Sequence, residues 1–333
     1  MVGQHFIKFL QGHPWFDLVW LGASDRSAGK KYADAMTWHL GALPESVSRI
    51  TVDECKPGKA PKLVFSAMDA GVATEIEQAF AAAGHVVVSN SRNHRMEADV
   101  PLLVPEINAE HLGIVPKQKA RGWKGAIVTN PNCSTIVLTM ALGPLKQFGI
   151  KRLVTTTLQA ISGAGYPGVP SMDIMGNVIP FIGMEEEKMQ QETQKILGEL
   201  RDGKLEPLDA KVSAHCNRVP VVDGHTVTCS IEFSNKPAEA DLRHAIDGFR
   251  GLPQERKLPS APPVPVIYMP EANRPQPRKD AERQRGMACF MGRLRECPVF
   301  DYKFVAMGHN TIRGAAGAAV LNAELMRTEG MLD

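Results

Sequence analysis

Apolar and polar residues follow two different periods along the first part of the chain. Val2 to Gln11 carries apolar side chains at helical spacing, and Asp17 to Gly22 reads as a strand. Lys62 to Ser66 predicts a second strand, Val72 to Ala83 a helix, and His85 to Ser89 a third strand. Repeats of strand and crossover helix build a parallel, nucleotide-binding type of sheet. Gly125 to Thr129 is a further short strand. It runs into Asn130-Pro131-Asn132, and an apolar-periodic helix follows from Cys133 to Phe148, ending at Gly149. After Lys151 the texture changes: Leu153 to Ala160 and Thr226 to Phe233 predict a separate antiparallel sheet. Prolines and charges between Leu258 and Arg285 predict an extended arm or loop. The Ala-rich stretch Thr311 to Met326 predicts a helix that returns to the first sheet.

Composition narrows the partners. The 333 residues are 44% hydrophobic and 22% charged, enough to bury two cores, and the formal charge of +2 sets up no field that would draw nucleic acid or a membrane surface. No apolar run approaches the ~20 residues of a membrane span, which leaves a small molecule as the expected partner. Six cysteines are scattered without a CxxC pair, as in a reducing cytoplasm, and no metal site is expected.

Cys133 carries the strongest chemical signal. A thiol at a helix start meets the positive end of the helix dipole and free backbone N–H groups, which favour the thiolate. A cysteine taken alone is more often a buried structural residue; the surrounding residues change that. Asn130-Pro131-Asn132-Cys133-Ser134-Thr135 resembles the nucleophile segment of the aspartate-semialdehyde dehydrogenases, in particular their archaeal and fungal branch.

The resemblance extends over nearly the whole chain, and the site residues that follow are what it implies. Leu158-Gln159-Ala160-Ile161-Ser162-Gly163-Ala164-Gly165 is similar to the family's strand and Gly-rich turn, which makes Gln159 a substrate-orienting residue and places Ser162 and Gly163 beside the cofactor. Arg218 stands seven residues before His225, the family's spacing. It implies that Arg218 grips the substrate carboxylate and that His225 is the acid/base partner of Cys133. Arg95, in Ser91-Arg92-Asn93-His94-Arg95-Met96, matches the phosphate-binding arginine, with Arg92 a nearby alternative. Glu185 and Lys188 match residues that meet the substrate amine and the phosphate; on periodicity alone they would only decorate a solvated helix face. Ser24, Arg26 and Ser27 follow the first strand and suit the 2′-phosphate of NADP, against the contrary hint of Asp25. Ser66 and Asn310 complete the implied cofactor set.

The implied fold is α/β: a Rossmann-type dinucleotide-binding domain over residues 1–132, an α+β catalytic and dimerisation domain of the glyceraldehyde-3-phosphate-dehydrogenase-like type over 133–310, and a C-terminal helix over 311–333 that packs back on the first. The implied reaction interconverts L-aspartate 4-semialdehyde and inorganic phosphate with L-4-aspartyl phosphate through a Cys133 thioester, in threonine, methionine and lysine biosynthesis, by a homodimer or homotetramer. The competing readings are a malonyl-CoA reductase of the same branch and a non-catalytic homologue acting as an interaction subunit. In one respect the chain departs from the pattern. The family opens with a strand and a turn of the form G-x-x-G-x-V-G, whereas Met1-Val2-Gly3-Gln4 matches only the end of that turn. The expectation is that the functional product carries roughly 15 to 20 further residues before Val2, because the parallel sheet and the pyrophosphate site both call for them.

Overall fold

The computed structural model describes residues 1–332. Parallel strands β3 (Leu63–Ser66), β4 (Val86–Ser89) and β5 (Ala126–Thr129) form one sheet in that order, after a separate parallel pair, β1 (Gly22–Ala23) and β2 (Asp53–Glu54). The run Val86-Val87-Val88 is buried on both faces, as the central strand of a parallel sheet must be. Two helices cover this region, Val2–Leu10 and Ala70–Ala83, the second ending on Gly84 with φ 107°.

The second half is built on a six-stranded sheet. Its strands are β6 (Ile150–Gln159), β9 (Lys211–Arg218), β10 (His225–Phe233), β11 (Val266–Met269), β12 (Cys289–Glu296) and β13 (Tyr302–Gly308), ordered β11-β12-β13-β10-β6-β9. Between β6 and β9 a small hairpin of β7 (Glu199–Arg201) and β8 (Lys204–Glu206) stands apart. The large sheet is mixed rather than antiparallel, because β6 runs parallel to β9 and β11 parallel to β12. The first parallel step is made possible by the Glu185–Ile196 helix, which crosses from β6 back to the start of β9. Residues 258–285 are also more ordered than an arm: β11 adds an edge strand and Pro277–Asp280 forms a helical turn.

Cys133–Leu142 is an α-helix that tightens to 3₁₀ geometry over Gly143–Phe148 and stops at Gly149, φ 73°. It is buried on every side between the two sheets: Ile136, Val137, Leu138, Met140 and Leu142 are all 0% exposed. The last helix, Gly317–Thr328, opens with a π-turn at Ile312–Ala316 and joins Phe6, Leu10, Val86 and Val88 in the core of the first sheet. Arg313, in that π-turn, is fully buried and held by Glu106 in a bidentate pair at 2.8 and 2.6 Å.

Of Asp17 to Gly22, expected as a strand, only Gly22 lies in one, the two-residue Gly22–Ala23. A strand is held by its neighbours, and here the space between this segment and β3 is a cavity of about 480 Å³ lined by Leu10, Phe16, Leu18, Trp20, Leu63 and Phe65 among others. Among the described residues the edge of β3 away from β4 therefore has no ladder partner.

Candidate active site

Three elements converge on Cys133. Asn132 caps its helix, the side-chain Oδ1 accepting from the N–H groups of Ser134 at 2.9 Å and Thr135 at 3.2 Å. Gln159 and Arg218 end the parallel strands β6 and β9 and sit opposite each other in register. His225 begins β10 and pairs with Gly308 at the end of β13. The two sheet ends so bring His225 Nε2 to 3.2 Å from Cys133 Sγ, across 92 residues of sequence.

The backbone decides the histidine's tautomer. Ala160 N–H donates to His225 Nδ1 at 3.0 Å, so Nδ1 carries the lone pair and the ring proton sits on Nε2, facing the sulfur. Burial holds this imidazole down, to about 3, with the charges of Arg218 and His309 acting the same way. Burial pushes the Cys133 thiol up, to about 12, with Glu185 adding to the rise and Arg218, Arg95 and the Ser134 N–H opposing it. The resting pair is therefore uncharged.

Around the pair lie opposed charges. Glu185, the first residue of its helix, accepts from Asn132 Nδ2 at 3.0 and 2.8 Å, from Gln159 Nε2 at 3.2 Å and from Lys188 Nζ at 2.7 Å. Burial alone would raise this carboxyl; Lys188 and the amide donors outweigh it and hold it below its usual range. Glu185 is thus buried beside the cap of the Cys133 helix and paired with Lys188, not set on a solvated face. Arg218 Nη1 donates to Ala160 O at 2.8 Å, the one side-chain hydrogen bond of this guanidinium among the described residues. A Cβ at Gly163 would lie 2.7 Å from Arg218 Nη1 and 3.0 Å from the His225 ring, so no larger residue fits that turn without displacing one of them. Asn310 ties two loops together, its Oδ1 accepting from Gly224 N–H at 2.8 Å and its Nδ2 donating to Ser162 Oγ at 2.7 Å.

The remaining expected residues are placed less directly. Arg95 is buried, donating from Nη1 to Glu192 at 2.9 Å and from Nη2 to Asn90 O at 2.8 Å. Arg92, the alternative, meets Arg95 through its backbone, its carbonyl accepting from the Arg95 N–H at 3.3 Å. Ser66 Oγ is taken up by buried Glu77 at 2.5 Å. Ser24, Asp25 and Arg26 lie exposed on the turn after β1, where Asp25 Oδ1 accepts from the Arg26 N–H at 2.9 Å. Four residues escaped the sequence reading: Asn132 as the partner of Glu185, Glu192, Lys195, and Gly314, where a Cβ would meet Cys133 Cβ at 2.8 Å. Glu192 and Lys195 had a usable signal, since they repeat the spacing of Glu185 and Lys188 seven residues on. Gly314 had none.

A helix-start thiol against a neutral imidazole, beside a buried carboxylate and two guanidinium groups on a two-sheet α/β frame, defines a thiol-dependent aldehyde oxidoreductase with a nucleotide-binding domain. The family models agree: residues 1–114 match the semialdehyde dehydrogenase NAD binding domain and residues 142–313 the semialdehyde dehydrogenase dimerisation domain. Aspartate-semialdehyde dehydrogenase of Methanothermobacter thermautotrophicus is 51% identical, covering 98% of this chain and 96% of the relative, and that of Saccharomyces cerevisiae is 47% identical over 99% and 96%. The crystal structure of the Candida albicans aspartate-semialdehyde dehydrogenase with NADP is similar at a TM-score of 0.92 and 44% identity, covering 99% of this chain and 96% of that one. The chain belongs to the aspartate-semialdehyde dehydrogenase family.

Proposed function

We propose that this chain interconverts L-aspartate 4-semialdehyde and L-4-aspartyl phosphate, using NADP and inorganic phosphate, through a thioester on Cys133. The observation that carries this reading is the 3.2 Å contact between Cys133 Sγ and His225 Nε2 at the edge of the Arg218–Glu185 pocket. An amino-acid aldehyde presents a carboxylate, an ammonium and a reactive carbonyl. Arg218 suits the first, Glu185 the second, and Cys133 lies between them.

The thiol loses its proton to solvent, and Sγ adds to the aldehyde carbon. His225 Nε2–H donates first to the sulfur and then to the oxygen that becomes an alkoxide; with Nδ1 occupied by the Ala160 N–H, proton exchange is confined to Nε2. NADP, when bound, supplies the acceptor for the hydride that leaves that carbon. Phosphate, held by Arg95 and Lys188, then releases the acyl group from sulfur.

The chain's residues fit the cofactor. Gly3 lies in the first turn of the Val2–Leu10 helix, and a Cβ there would meet nothing within 4 Å, which suits the close approach of a pyrophosphate to that helix start. The hydroxyls of Ser24 and Ser27 and the Arg26 cation, on the turn after β1, suit a 2′-phosphate. Ser162, Gly163 and Asn310 stand on the His225 side, where a nicotinamide belongs.

A homo-oligomer is proposed on the exposure of Met172 (91%) and Phe181 (73%), large apolar side chains that a second copy would cover. A reducing compartment, the cytoplasm, suits six unpaired cysteines. Among the described residues no helix is long and apolar enough to cross a membrane.

The test is the formation of NADPH from semialdehyde, NADP and phosphate; dependence on all three supports the reading, and turnover of a CoA thioester in their place would replace it. Within that assay Arg218→Lys is expected to raise the KM for semialdehyde ~10-fold or more, because a point charge replaces a planar fork. If the KM for phosphate moved instead, the two anion subsites would be interchanged.

A further inference from the structure

The Glu185–Ile196 helix turns four charged side chains inward along one face, at positions 185, 188, 192 and 195. Glu185 and Lys188 enter the substrate pocket. The other two are buried and reach no substrate position. Glu192, 2% exposed, accepts from Arg95 Nη1 at 2.9 Å through one carboxylate oxygen and from the Asn132 backbone N–H at 2.7 Å through the other. Lys195 Nζ donates to three carbonyls of the segment that carries Arg95: Arg95 O at 2.7 Å, Glu97 O at 2.7 Å and Val100 O at 2.8 Å.

One carboxylate therefore holds both the guanidinium of Arg95 and the peptide that precedes the nucleophile. A second contact from the same helix fixes the main chain of Arg95. After these bonds Arg95 keeps a buried Nε that has no partner among the described residues. A buried donor of this kind calls for an acceptor.

We infer that Glu192 and Lys195 are positioning residues, which set Arg95 at a fixed distance from Cys133 so that phosphate is delivered to the thioester. The inference rests on the phosphate-dependent reaction proposed above. In that step an oxygen of hydrogen phosphate forms a bond to the thioester carbonyl carbon. The C–S bond breaks, its electron pair stays on Sγ as thiolate, and the acyl phosphate departs with the phosphate's proton. Nothing is oxidised or reduced, so a fault in Arg95 placement slows acyl transfer and leaves the hydride step intact.

Glu192→Gln keeps the side-chain shape but removes the charge that anchors Arg95. Rapid mixing with semialdehyde and NADP, without phosphate, reads formation of the thioester as a burst of NADPH; steady-state assays over a range of phosphate read its release. The expected result is a burst rate within ~2-fold of wild type and a phosphate KM raised ~10-fold or more. A burst and a steady-state rate that fall in equal proportion, or a phosphate KM that does not move, would overturn the inference. Should Glu192→Gln not fold, Lys195→Met leaves the Arg95–Glu192 pair in place and frees only the loop carbonyls. The same selective rise in phosphate KM is then required of it, and its absence overturns the inference. If wild type itself turns over without phosphate, the proposed function fails, whatever Glu192 does.

Discussion

Replacing Cys133 by serine is expected to abolish turnover while leaving the fold intact. The hydroxyl is smaller than the thiol and keeps the Asn132 cap and the packing of Gly314 against the residue's Cβ. What it lacks is an accessible anion. His225 presents a proton to the nucleophile and not a lone pair, so it has no means of activating an alcohol. An oxygen ester, if formed, would also release its acyl group to phosphate far more slowly than a thioester. Both steps fail, and kcat should fall by ~10⁴ or more. Equal melting curves for the two proteins, with residual activity above about 1% of wild type, would remove Cys133 as the nucleophile. The raised thiol pKa adds a sign. With burial holding the thiol protonated at neutrality, the thiolate fraction grows as pH rises, so wild-type kcat/KM is expected to climb between pH 6 and 8.

Changing His225 to asparagine is expected to lower kcat by ~10² or more, the scale of one positioned proton donor, with a smaller change in semialdehyde KM. The substitution also alters stability toward acid. His225 is held neutral by burial, with its folded pKa near 3, whereas an unfolded histidine titrates near 6.5. Between those values the unfolded chain binds the extra proton, so stability falls as pH drops through that window. Burial lowers His5 and His111 to about 4 and adds to the same trend. Denaturant unfolding at pH 7 and pH 4.5 should show a smaller loss for the asparagine variant than for wild type. An equal loss would mean that His225 is already protonated in the folded state, contrary to its contact with the Ala160 N–H.

Much of the frame was legible because local rules set it. Val86-Val87-Val88 is apolar at every position and forms the buried middle strand; the helix after Asn132 starts where its cap predicts and stops at the glycine that ends it. The motif around Cys133 and the seven-residue interval from Arg218 to His225 were enough to name both ends of the 3.2 Å contact. Edge strand β11 was hidden by prolines and charges, since its order comes from pairing with β12 and not from its own pattern. Residues 17–21 erred the other way, with a strand's composition but a ladder to β2 that starts only at the Leu21 carbonyl, which accepts from the Asp53 N–H at 2.9 Å.

The sequence by itself singled out Cys133 as the candidate nucleophile and Arg218 and His225 as its candidate partners, through the family resemblance that their motifs carry, because such a resemblance resides in residue identity and spacing. Only the tertiary structure decided how the partners act. The tautomer of His225 depends on a backbone N–H 65 residues away, at Ala160. Glu185 meets Asn132, 53 residues distant, and Glu192 meets Arg95 across 97 residues. Such contacts link side chains whose separation along the chain has no period, so they exist only once two sheets and a helix have been packed against one another.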